Sequence, residues 1–84
     1  MNDAILAWLQ DWFANKSGRP ATEIAELRDT DYIQAGLIDS FGIIELIADA
    51  EAEFDIRFSA EQFQDRRFTT LGGLCEIIAE SRKT

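Results

Sequence analysis

The sequence predicts an all-α fold, a small bundle of three main helices plus one short helix. Three observations carry this. Apolar residues recur at spacings of three and four in three separate segments. Candidate caps and breakers punctuate those segments. Alternation of the strand kind appears only over residues 54–58, which is too brief for a sheet. At 84 residues, with an ordinary hydrophobic fraction of 46%, the chain reads as one domain spanning 1–84, without room for a second core.

The first helix is expected over residues 3–14. Ile5, Leu6, Trp8, Leu9, Trp12 and Phe13 form a broad apolar stripe, and both tryptophans read as core anchors. Asn2 suits the N-cap, and Asp3 suits the positive end of the helix dipole. The run from Asn15 to Pro20 then supplies breakers. Residues 17–38 form a long connection. It is expected to lie packed across the core through Ile24, Leu27, Tyr32, Ile33, Leu37 and Ile38. A helical turn is expected over 21–27, another around Tyr32 and Ile33, and a turn conformation at Gly36. The second strong helix is expected over 40–53. Its apolar residues are Phe41, Ile43, Ile44, Leu46, Ile47 and Ala50, and Gly42, Glu45, Asp49 and Glu53 read as its solvent stripe. Ser59 with Gln62 three places on fits a capping box, so a short helix is expected over 59–64. The last helix is expected over 70–81, with Leu71, Leu74, Ile77 and Ile78 inward and Glu76 and Glu80 outward.

Sixteen acidic residues against eight basic ones give a net charge of −8. Nucleic acid and anionic membrane surfaces would repel such a molecule, whereas basic patches on other proteins would attract it. No transmembrane span and no signal peptide are read from the sequence. The single Cys75 excludes an internal disulfide and fits a reducing, cytoplasmic setting. Flanked by apolar residues on a helix, it reads as a small core residue. With no histidine in the chain, a Ser-His or Cys-His pair and a His-containing metal site are both excluded. The chain carries little catalytic equipment of its own, and a monomer is expected.

The informative segment runs from Gly36 to Leu46. It sets a serine hydroxyl at the mouth of a loop and on the first turn of a helix. Asp39 and Ser40 both suit a helix cap. Without a base beside it, Ser40 is a poor nucleophile and would need a second enzyme to activate it. A phosphate placed there would meet free peptide N–H groups and the positive end of the helix dipole.

The string Gly36-Leu37-Ile38-Asp39-Ser40, with Glu45-Leu46 and the acidic stretch ending Glu53-Phe54, resembles the phosphopantetheine attachment motif of acyl carrier proteins. That family's fold is a four-helix bundle whose third helix is short. The resemblance implies that Ser40 receives a 4′-phosphopantetheine arm from coenzyme A, through a phosphopantetheinyl transferase and a magnesium ion. Asp39 matches the serine's acidic neighbour, and Glu45 an outward acid on the recognition helix where loading and transfer enzymes dock. Asp49 and Glu53 extend that acidic stripe. Phe41 stands where leucine is usual, Ala48 where many fatty-acid carriers have a larger apolar residue, and Ala52 where they often have an acid. The Ser-x-Gly pattern through Gly42 is similar to stand-alone carriers of the D-alanyl type. Fatty acyl and aminoacyl cargo both stay open, as does an acyl pocket lined by Ile44, Ile47 and Ile78. The reading from another class is an unmodified acidic helical interaction module, for which Ser40 would be dispensable.

Overall fold

The computed structural model describes residues 3–82. Among them the elements are α1 (Asp3–Ser17), α2 (Ala21–Glu26), α3 (Ser40–Phe54), α4 (Ala60–Phe63) and α5 (Leu71–Arg82), with a 3₁₀ turn at Arg66–Thr69. No strand occurs among the described residues. The three long helices and the short one stand where the apolar periodicity put them. The expected cap at Asn2 lies outside the described residues.

The stripe of α1 buries Ile5, Leu9, Trp12 and Phe13. Trp12 is in the core, whereas Trp8 is half-buried at its edge, packed edge-on against Phe54 at 5.2 Å between ring centres. The helix outruns its expected end because residues 15–17 still tolerate helical geometry. Ser17 donates its hydroxyl to the Phe13 carbonyl at 2.7 Å, and Gly18 follows at φ +74°.

The connection packs across the core as its composition required, except at Ile33, which the turn leaves exposed. Ile24 of α2 is fully buried, and the turn after Asp31 plants Tyr32 beneath α1, its ring 5.2 Å from that of Phe13. The Tyr32 hydroxyl donates to the Phe68 carbonyl at 2.5 Å, and its backbone N–H donates to the Thr69 carbonyl at 3.1 Å. One residue thereby staples the connection to the 3₁₀ turn, and burial pushes the phenol pKa well above its usual value.

Both halves of the capping box at α4 are made. The Gln62 N–H donates to Ser59 Oγ at 3.2 Å, and the Ser59 N–H donates to Gln62 Oε1 at 2.8 Å. The 3₁₀ turn beyond it was not expected from sequence. Asp65 caps it by accepting from the Arg67 N–H at 2.9 Å. The Arg67 guanidinium then spans from Asp65 to Glu80 on α5, where the shortest contact is 2.6 Å. These hydrogen bonds hold the Asp65 carboxyl below the usual carboxylate range.

In α5, Leu71, Leu74, Ile77 and Ile78 are buried, and Glu76 and Glu80 are exposed, as the periodicity gave. Thr70 is its cap rather than its first residue, accepting from the Gly73 N–H at 3.0 Å. Gly73 sits so close to the 3₁₀ turn that a Cβ there would fall 2.0 Å from the Arg67 carbonyl oxygen. Cys75 is a core residue, its thiol pKa raised chiefly by burial.

Candidate functional site

The loop entering α3 is shaped by Gly36 at φ +75° and anchored by Leu37, which is buried and donates its N–H to the Tyr32 carbonyl at 3.0 Å. Asp39, with extended backbone, is the N-cap of α3: its side chain accepts from the Gly42 N–H at 2.9 Å. Ser40 is the first helical residue. Its side chain is exposed, and its hydroxyl makes no hydrogen bond among the described residues. The sequence left open which of the two caps the helix. The carboxylate takes that duty, and the hydroxyl stands unengaged at the helix end, where peptide N–H groups of the first turn have no backbone acceptor. A shallow cleft beside it is lined by Lys16, Gly36, Ile38, Asp39, Gly42 and Glu45.

The exposed face of α3 differs from the one expected. Gly42 is buried, not on the solvent stripe: a Cβ there would lie 2.8 Å from Ile38 Cβ. The two polypeptide segments meet at that point, so glycine is required by close approach. With Gly42 turned inward, the outward line of α3 runs through Phe41, Ile44, Ala48 and Ala52, all exposed. Phe41 and Ile44 are 76% and 65% exposed. Glu45, Asp49 and Glu53 are exposed too, but they flank that line. Glu45 is ion-paired with Lys16 of α1, and Asp49 accepts from the Trp12 Nε1–H at 2.8 Å. Lys16 also lies over the Trp12 ring, 5.5 Å from its centre, and its hydrogen bond to Glu45 raises its pKa. Two of the three expected docking acids therefore also clasp α1. Glu53 lies further from the serine end.

The three residues named for an acyl pocket, a question the sequence left open, differ widely in exposure. Ile44 faces solvent, Ile47 is half-buried against the core and Ile78 is fully buried. No group of three or more candidate metal ligands occurs among the described residues, and no helix among them is long and apolar enough to cross a membrane.

Residues 7–78 match the family described as the phosphopantetheine attachment site. The chain belongs to the phosphopantetheine-binding carrier proteins. The D-alanyl carrier proteins of Streptococcus thermophilus (strain ATCC BAA-491 / LMD-9) and Streptococcus sanguinis (strain SK36) are each 33% identical to it over 60 residues, covering 71% of this chain and 76% of theirs. That of Streptococcus uberis (strain ATCC BAA-854 / 0140J) is 29% identical over 58 residues, covering 69% of this chain and 73% of its own. No solved structure matches the chain. As a member of this family the chain is a carrier and not an enzyme, and 4′-phosphopantetheine is its covalent prosthetic group. The carrier's own residues suit that group: an exposed, unbonded hydroxyl stands on the first turn of a fifteen-residue helix whose cap is already provided by another side chain.

Proposed function

We propose that Ser40 is the attachment residue and that the chain carries an aminoacyl group as a thioester on its arm. The observation that supports this most is the division of labour at the start of α3, where Asp39 caps the helix and leaves the Ser40 hydroxyl unbonded and exposed. Attachment forms a phosphodiester bond at Ser40 Oγ and breaks the pyrophosphate bond of coenzyme A. The nucleotide portion leaves, and the hydroxyl proton passes to a base supplied by the phosphopantetheinyl transferase, since the chain has no histidine to take it. The bound arm supplies a thiol that holds the cargo as a thioester. Tethering raises the cargo's effective concentration at the active sites the arm can reach.

The aminoacyl reading rests on the relatives named as D-alanyl carriers and on Gly42 two residues after the serine. The net charge of −8, to which Glu45, Asp49 and Glu53 contribute, would steer loading and transfer enzymes that present basic patches. The chain's one cysteine is a buried core residue, which suits a cytoplasmic setting.

Intact mass before and after incubation with coenzyme A, magnesium and a phosphopantetheinyl transferase tests the attachment. A gain of one phosphopantetheine that Ser40→Ala abolishes is expected. A gain that survives Ser40→Ala would place the arm elsewhere. Offering the modified protein to amino-acid-activating ligases, with fatty-acid ligases in parallel, then reads the cargo directly.

A further inference from the structure

We infer that Lys16 is a binding residue for the arm: its ammonium, which lines the cleft beside Ser40, receives the phosphodiester that attachment creates. The inference rests on the reading of Ser40 as the attachment residue. Attachment adds one more negative charge to a chain already at −8, and adds it where Asp39 and Glu45 stand on the walls of the same cleft. An anion in that company needs a cation to offset the repulsion. Among the described residues lining the cleft, Lys16 is the one cation. Arg19, three residues on, is turned to Glu23 at 3.6 Å and lies outside it.

The fold delivers Lys16 to this place through the length of α1. The helix runs on to Ser17, so Lys16 falls in its last turn, over the Trp12 ring and against α3. In the unmodified chain the ammonium is held by Glu45, with the two side chains 38% and 55% exposed. Ion pairs so open to solvent are weak, and this one can be exchanged at little cost. Lysine carries three donors on a flexible stem, so the ammonium can turn from the carboxylate to a phosphate or serve both. Phosphate is an anion that lysine meets well as a point charge. The hydrogen bond to Glu45 holds the Lys16 pKa above the ordinary 10.5, so the charge is in place at neutral pH. Asp49 keeps its own bond to the Trp12 indole, which still ties α1 to α3 when Lys16 turns away.

The test is a thermodynamic cycle between the arm and Lys16. Each variant is prepared without and with the arm, as confirmed by intact mass, and the change in melting temperature on attachment is measured. Two ionic strengths are used: about 0.01 M, where charges act over about 30 Å, and about 1 M, where they act over about 3 Å. Relative to the wild type, Lys16→Met should make the change on attachment less favourable by about 2–4 °C at low salt, a difference lost at high salt. Lys16→Arg should behave as the wild type does. Glu45→Gln separates binding from bracing, because it breaks the same ion pair and leaves the ammonium free. Attachment should then be at least as favourable as in the wild type. Arg19→Gln removes a positive charge near the same end of α1 but outside the cleft, and should leave the change as it was. The phosphorus NMR resonance of the phosphodiester should move in Lys16→Met and stay in Arg19→Gln. Equal changes in the wild type and Lys16→Met overturn the inference while leaving Ser40 modified. So does a Glu45→Gln that behaves like Lys16→Met, or an effect of Arg19→Gln as large as that of Lys16→Met. Failure of the wild type to be modified, or modification that persists in Ser40→Ala, counts instead against the Ser40 reading.

Discussion

At the scale of single residues, the site depends on which neighbour takes which duty. Gly42 shows this best. Replacing it with alanine would gain about 1 kcal/mol of helix propensity in isolation. Here the new methyl would meet the Cβ of Ile38, which is part of a branched side chain next to the backbone and cannot swing aside. Gly42→Ala is therefore expected to destabilise the fold by about 1–3 kcal/mol in urea unfolding. It should also slow arm attachment, because Ile38 lies two residues before Ser40. A neutral or stabilising alanine would mean that the loop gives way freely. Sequence reasoning found the residues of this site but not their arrangement. Asp39 and Ser40 are both good capping residues, so composition could not say which would cap, and a glycine carries no polarity to report which way it faces. Ser40 could be proposed from sequence because a short motif around it combines with the chain's length, acidity and all-α pattern.

At the scale of elements, the long helices were legible because each carries a stripe wide enough to survive an error of a few residues at its ends. The inward face of α3 was read correctly at Leu46 and Ala50, both buried. Its outward face was read along the acids, although the line facing solvent most directly is apolar. Phe41 and Ile44 look like core residues to any periodicity argument, and only tertiary packing shows that nothing covers them. The 3₁₀ turn was illegible for another reason. Four residues hold no periodicity, and Arg66 and Arg67 mark them as loop. The adjacent Gly72-Gly73 pair was the available signal, since a glycine kept inside a helix often marks a close approach. That packing predicts a large effect: Gly73→Ala would drive a methyl into the Arg67 carbonyl, a backbone atom held by the Asp65 cap. We expect a loss of at least about 2 kcal/mol, read as a lower urea midpoint. The cost should be relieved little by any change to the Arg67 side chain, because the obstacle is its backbone.

For the whole molecule, the one tyrosine couples fold stability to pH. Folded Tyr32 has a pKa raised above the ordinary 10.0 by burial first and by the charge of Asp31 second. Its contribution is complete below pH about 10 and is lost as pH rises from there toward the folded value, because the unfolded chain releases the phenolic proton first. Tyr32→Phe should cost about 1–3 kcal/mol at neutral pH by leaving the Phe68 carbonyl without its donor. Between pH 9 and 11, however, the variant should lose stability less steeply than the wild type. Equal slopes in urea titrations across that range would show that Tyr32 ionises without disturbing the bundle. The arrangement at the head of α3 has a practical consequence of its own. Because the structural duty there belongs to Asp39, the position after it acts as an interchangeable fitting. Ser40→Cys would keep the helix start intact while offering a solvent-facing sulfur, with Cys75 shielded inside. A maleimide-linked mimic of the arm, with the cargo joined to it by an amide in place of the thioester, could then be mounted without any transferase, yielding a carrier whose cargo does not hydrolyse away.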